Sequence, residues 1–137
     1  MKFAVIGSPI NHSISPKIHL EFARRLNLDI SYKALEVKRD VFKEETKRIF
    51  EDGFQGLNVT LPLKELAYQY ADEVTQRGKI SGAVNTLWKK DEKIYADTTD
   101  GIGFIEDLNN HSISLKDSSI LIVGAGGTAK SILPTII

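Results

Sequence analysis

The sequence predicts an α/β protein with parallel layering. Three observations carry this. Short apolar runs alternate with stretches at helical spacing from Phe3 to Lys64. Turn and breaker residues (Gly7-Ser8-Pro9, Gly53, Pro62) separate them. Further on, the apolar run Ile120-Leu121-Ile122-Val123 enters Gly124-Ala125-Gly126-Gly127-Thr128-Ala129.

Phe3–Gly7 is apolar and stops at a turn cluster, as a buried strand does. Ser15-Pro16 opens a helix, because Ser is a strong N-cap and Pro suits the first helical position. Ile18, Phe22 and Leu26 recur every four residues and give that helix one apolar stripe, and Asn27 stops it. Ser31–Val37 alternates apolar and polar residues and is a second strand. Asp40 caps a helix reaching Glu51, with Phe42, Thr46, Ile49 and Phe50 inward, and Gly53 breaks it. Gln55–Val59 is a third strand, and Thr60–Lys64 turns around Pro62. The pattern then changes. Glu65–Arg77 is one or two helical pieces, and Gly78 and Gly82 bracket a loop. Ala83–Trp88 and Lys93–Ala96 form a hairpin around the charged turn Lys89–Glu92. Asp100–Leu108 returns to helical spacing, and Ser112–Ser118 is polar and linker-like.

A strand entering G-x-G-x-x-A and then a helix is how a dinucleotide-binding unit begins. Only 13 residues follow Gly124, whereas one βαβ unit needs about 30. The expected organisation is one α/β domain, then a second cut at its first helix.

The 137 residues carry 18 basic and 18 acidic side chains, no cysteine and 42% hydrophobic residues. Zero net charge with mixed signs offers no field for nucleic acid or an anionic membrane. The lack of Cys excludes disulfides, thiolate zinc sites and iron–sulfur clusters, and fits a reducing compartment. His12 and His19 lack nearby carboxylates, so no metal site is expected. No apolar run approaches the roughly 20 residues of a membrane helix. Met1–Gly7 turns polar too early for a signal peptide, so the sequons at Asn11, Asn58 and Asn110 read as accidental. A soluble cytoplasmic protein is expected.

Four clusters could carry chemistry. In Asn11–Pro16, Ser15 serves as a helix cap or, with Ser13, as an anion site at a helix start. In Asn58–Lys64, period two places Asn58 and Thr60 on one face at the carboxyl end of a strand, where open α/β sheets bind ligands. Lys64 follows a proline-fixed turn; a solvated lysine is the ordinary alternative. Asn85 in an otherwise apolar strand wants a partner, and Asp100 by default caps the helix that begins there. The glycine loop Gly124–Ala129 suits a pyrophosphate.

Gly7–Pro16 (G-S-P-I-x-H-S-x-S-P), Asn58–Lys64 (N-V-T-x-P-x-K), Gly82–Thr86, Thr99–Gly101 and Gly124–Gly127 together resemble, in order and approximate spacing, the shikimate dehydrogenase family. The resemblance implies an N-terminal three-layer α/β substrate-binding domain over 1–100. A connecting helix and linker over 101–118 and the truncated start of a Rossmann NADP-binding domain over 119–137 would follow. It implies reversible NADPH-dependent reduction of 3-dehydroshikimate to shikimate in the shikimate pathway, with homodimerisation open to the full-length enzyme. Ser13 and Ser15 would hold the substrate carboxylate, and Asn58, Thr60, Asn85 and Asp100 the ring hydroxyls. Lys64 would be the catalytic acid/base with Asp100 as its partner. Gln76 would lie near the nicotinamide, and Gly124, Ala125, Gly126, Gly127, Thr128 and Ala129 would wrap the cofactor pyrophosphate. Thr98 stands where the family usually has Asn. The rival readings are an NAD-dependent quinate/shikimate dehydrogenase and a non-catalytic module that binds a small polyol acid.

Overall fold

Apolar alternation produces three parallel strands in the computed structural model, which describes all 137 residues: β1 (Lys2–Gly7), β2 (Ser31–Glu36) and β3 (Phe54–Val59). β1 lies between the other two, with Val5 opposite Ala34 on one side and Asn58 on the other. β5 (Thr86–Lys90) then pairs antiparallel with β3, and β6 (Lys93–Asp97) antiparallel with β5. A two-residue β4 (Glu73–Val74) runs parallel to β6, so the six-stranded order is β2-β1-β3-β5-β6-β4. The β5–β6 hairpin turns through Asp91 and Glu92, both left-handed at φ 48° and 62°, the geometry that matches the twist of a two-residue hairpin.

Side-chain alternation splits the sheet into two faces. Ala4, Ile6, Leu57 and Val59 point to one face, against Phe42, Ile49 and Phe50 of α2 (Phe42–Glu51) and Ala67 of α3 (Lys64–Tyr70). Each fully buried side chain of this size contributes roughly 1.5–3 kcal/mol, so this face dominates the stability. Val5, Ile10 and Tyr32 form a smaller cluster on the other face, which is flanked by α1 (Ser15–Arg25). Helices on both sides of one sheet give the expected three layers.

Several local expectations are corrected. The α1 stripe does not enter the core: Ile18, Phe22 and Leu26 stay exposed, and Ala23 is the one buried residue of that helix. Phe22 and Leu26 instead wall an apolar groove of about 450 Å³, floored by Phe3, Leu57 and Trp88. Asp40 does not cap α2; a 3-10 turn, Arg39–Val41, precedes that helix. Gly78 is inside α4 (Gln76–Ser81), and only Gly82, left-handed at φ 64°, ends it. Ile120–Val123 forms no strand, since none of the six strands pairs with it, and Leu121 and Val123 are almost fully exposed.

The last two helices are joined by close packing. α5 (Asp100–Asn110) and α6 (Gly127–Ile136) approach so tightly at Gly101 that a Cβ there would lie 2.6 Å from the Ser131 carbonyl oxygen. Ser131 is buried and its hydroxyl meets that of Ser81 at 3.0 Å. Ile132–Ile137 is only partly exposed, because α6 is seated on α4 and α5.

Candidate active site

The carboxyl ends of β1 and β3 approach closely where the candidate residues gather. A Cβ on Gly7 would sit 2.5 Å from Thr60 Cγ2, so only glycine lets these turns meet. The Thr60 amide donates to the Ile6 carbonyl at 2.9 Å, and the Ser8 amide to Leu61 O at 3.2 Å.

Lys64 opens α3, and its carbonyl accepts from the Val84 amide at 3.0 Å. That bond fixes the lysine stem beside the start of β5. Lys64 Nζ donates to Asp100 Oδ2 at 2.6 Å and to Thr128 Oγ1 at 3.2 Å. The ion pair is largely withdrawn from water, with side-chain exposures of 11% and 18%. In such surroundings each charge depends on the other, and removing one strands its partner.

Asp100 is not the helix cap; Thr99 holds the N-cap position, and no side chain caps α5. The carboxylate is turned inward, where Oδ1 accepts from Asn85 Nδ2 at 2.8 Å. Asn85 is held from three sides. Its Oδ1 accepts from Thr86 Oγ1 at 2.9 Å and from the Thr99 amide at 3.1 Å, and its Nδ2 also reaches Thr99 Oγ1 at 2.9 Å. The partner that the sequence demands for Asn85 is thus the Thr99–Asp100 turn.

Ser13, Ser15 and Thr60 line a separate cavity of about 350 Å³ with His12 at its rim. Ser15 is the first residue of α1 and caps nothing; Ser13 Oγ accepts from the Ser15 amide at 3.3 Å. Both hydroxyl hydrogens remain available to an anion. Asn58 lies on the same strand face but faces the apolar groove, where Tyr32 donates to its Oδ1 at 2.6 Å. His19 stacks on Tyr32 with ring centroids 4.2 Å apart. Burial raises the Tyr32 phenol above its ordinary value, so it stays a donor.

The glycine loop packs against this assembly. Gly124 takes φ 117°, and Gly126 stands at the N-cap of α6 with no side-chain cap, which leaves first-turn amides for an anion. This donor set fits a pyrophosphate. Gln76 opens α4 and makes no hydrogen bond to another candidate residue.

Sequence reasoning misses three groups: Tyr32 behind Asn58, Thr86 behind Asn85, and an acidic clamp at Asp97. The Asp97 carboxylate accepts from Thr75 Oγ1 and Arg77 Nε, both at 2.6 Å, from the Thr98 amide at 2.8 Å, and from a second Arg77 nitrogen. Burial alone would raise its pKa, but Arg77, Thr75 and the Thr98 amide outweigh it and hold the carboxyl below its usual value. These partners lie far away in sequence or on backbone atoms, and only the register Thr86↔Asp97 could have hinted at the clamp.

The family model for the shikimate dehydrogenase substrate binding domain matches residues 5–87. The chain belongs to the shikimate dehydrogenase family. The match includes Ser13, Ser15, Asn58, Thr60, Lys64 and Asn85, and ends before Asp100 and the glycine loop. A curated relative from Vibrio cholerae, named shikimate dehydrogenase (NADP(+)), is 46% identical over 99% of this chain and 49% of its own. One from Ruthia magnifica with the same name is 44% identical over 96% and 50%. The chain spans about half the length of the curated relatives it matches. Among solved structures of the family, the Thermus thermophilus enzyme in complex with NADP(H) and shikimate has a TM-score of 0.92 at 34% identity, over 99% of this chain and 51% of that one. Shikimate dehydrogenase 1 from Peptoclostridium difficile has a TM-score of 0.94 at 31% identity, over 98% and 50%. No helix is long and apolar enough to cross a membrane.

Proposed function

We propose that these residues form the substrate-binding half of a cytoplasmic, NADP-dependent shikimate dehydrogenase that interconverts 3-dehydroshikimate and shikimate. The Lys64–Asp100 pair at 2.6 Å, beside an anion-ready glycine loop, carries this reading. The relatives' printed names and the shikimate and NADP(H) held by the Thermus thermophilus enzyme support it.

In the reductive direction NADPH supplies hydride to the ring carbonyl carbon. Negative charge then develops on the carbonyl oxygen. Lys64 Nζ donates a hydrogen bond to that oxygen and transfers its proton, giving the alcohol and a neutral amine. In the oxidative direction the amine takes the alcohol proton. Asp100 keeps the ammonium aimed and balances its charge, and Asn85 holds Asp100. Ser13 and Ser15 donate to the substrate carboxylate, and Thr60 and Asn58 contact ring hydroxyls. Gly124–Ala129 would hold the pyrophosphate through backbone amides, with Gln76 on the nicotinamide side.

Ser15→Ala should raise the shikimate KM by about 10- to 100-fold, as loss of a hydrogen bond to a charged group does. Its melting temperature should not change, because the Ser15 hydroxyl caps nothing. Ser13→Ala should raise KM similarly and lower stability slightly, since its oxygen takes the Ser15 amide. Steady-state kinetics and melting curves check both. A Ser15→Ala change in stability alone would reject the carboxylate role.

The test of the reading uses a chimaera that continues these 137 residues with the remaining half of the Vibrio cholerae relative. It should reduce NADP+ with shikimate. The 137 residues by themselves should bind shikimate weakly, seen as a melting shift, without turnover. Hydride transfer needs reacting atoms about 3–3.5 Å apart, and that positioning can be worth about 7–11 kcal/mol, which a pyrophosphate cradle alone does not supply. NADP+ reduction by the purified 137 residues overturns the half-site argument. A chimaera that melts cooperatively and shifts with shikimate but never turns over points instead to a binding module.

A further inference from the structure

We infer that Thr128 is a positioning residue for Lys64: its hydroxyl, carried on the glycine loop, orients the lysine ammonium for proton transfer instead of binding the cofactor. This rests on the function proposed above.

The loop does not merely lie near the lysine. Gly127, Thr128 and Lys130 all contact Lys64 or Glu65, which are consecutive in α3. Gly127 lies against the aliphatic stem of Lys64, so closely that a Cβ there would be 3.1 Å from Lys64 Cβ and 3.3 Å from its Cδ. Thr128 Oγ1 accepts from Lys64 Nζ at 3.2 Å. Lys130 Nζ donates to Glu65 Oε1 at 2.7 Å, and that hydrogen bond holds the Glu65 carboxyl below its ordinary pKa. An exposed pair of this kind adds little stability on its own, but it fixes the loop sideways on α3. The buried Ser81–Ser131 contact anchors the next turn of α6.

An ammonium has three N–H donors. One of Lys64's goes to Asp100 and one to Thr128, at fixed angles. The direction of the third is then set, and that is the proton a substrate oxygen would meet. Without the Thr128 oxygen only the Asp100 contact restrains the Cε–Nζ torsion and the last side-chain torsions of Lys64, so the ammonium is held less firmly. The loop that would bind the nucleotide thereby also aims the acid that works beside it.

Thr128 has two separable roles, and kinetics of the chimaera distinguish them. If its hydroxyl aims Lys64, Thr128→Ala lowers kcat by about three- to tenfold, the loss of one hydrogen bond, while the KM for NADP+ and for shikimate stay within about twofold. Thr128→Ser then restores kcat. If the hydroxyl instead binds the pyrophosphate, Thr128→Ala raises the NADP+ KM and leaves kcat intact, and the inference fails. Unchanged kinetics also reject it. A second measurement does not depend on turnover. The 13C resonance of Lys64 Cε in the 137-residue chain should shift with Thr128→Ala and return with Thr128→Ser. No shift overturns the inference even if the chimaera proves inactive, whereas a shift in an inactive chimaera faults the function proposed above and not the contact.

Discussion

Lys64→Ala should lower kcat of the chimaera by about 10²- to 10⁴-fold, the range typical of a lost general acid or base, and change the shikimate KM far less. The reason lies in how the structure uses this side chain. Its stem is fixed by the Val84 amide on the Lys64 carbonyl, and its ammonium is nearly enclosed between Asp100 and Thr128. The substitution also leaves Asp100 without its cation in a poorly solvated place, so a lower melting temperature should accompany the loss. Near-normal kcat with intact folding would remove Lys64 from the chemical step.

Asp100→Asn should cost about 10- to 100-fold in kcat, as loss of one charge-assisted hydrogen bond does. Folding should persist with a lower melting temperature, because the Lys64 ammonium loses its counter-charge in a poorly solvated place. The structure sharpens this expectation, because Thr99 and not Asp100 stands at the N-cap of α5, so the substitution cannot act by weakening a cap. The substituted amide still offers one oxygen to the Lys64 ammonium while withdrawing the charge. Kinetics together with a melting curve check it. Unchanged turnover would show that the carboxylate only supports the turn.

The layering was legible because it depends on local pattern. The apolar run of β1, the alternation of β2 and the inward set Phe42, Thr46, Ile49 and Phe50 all lie where the sequence points. Lys64, Asn85 and Asp100 converge in the structure, a contact that local pattern does not give and that only the family resemblance implied for Lys64 and Asp100. What failed were the caps. Ser15, Asp40 and Asp100 are all good capping residues, and none caps its helix. At Asp100 the reason is physical: a buried ammonium competes for the same carboxylate and wins over exposed amides. The apolar stripe of α1 was legible as a stripe, but periodicity marks a face without naming what lies opposite, and its residues stay exposed. Tyr32 and Asp97 escaped because their side-chain partners, Asn58 for one and Thr75 and Arg77 for the other, lie far along the chain, and Thr86 because its contact with the neighbouring Asn85 follows no periodic pattern. The separate strand expected at Ile120–Val123 shows the converse, that an apolar run becomes a strand only beside a neighbour.

The antiparallel turn at Asp91–Glu92 has a practical use. Asn85 precedes β5 and Asp97 ends β6, so the chemistry lies at one end of this ribbon and the turn at the other. The length of β5 separates them, about 17 Å. Both turn residues are exposed, and their one ion pair is the surface contact of Glu92 with Lys89 at 2.9 Å. Length added there lengthens a tip that points away from every candidate residue. It is therefore where a fluorophore or an affinity tag can be inserted to follow ligand binding from outside, with Asn85, Asp97 and Asp100 left in register.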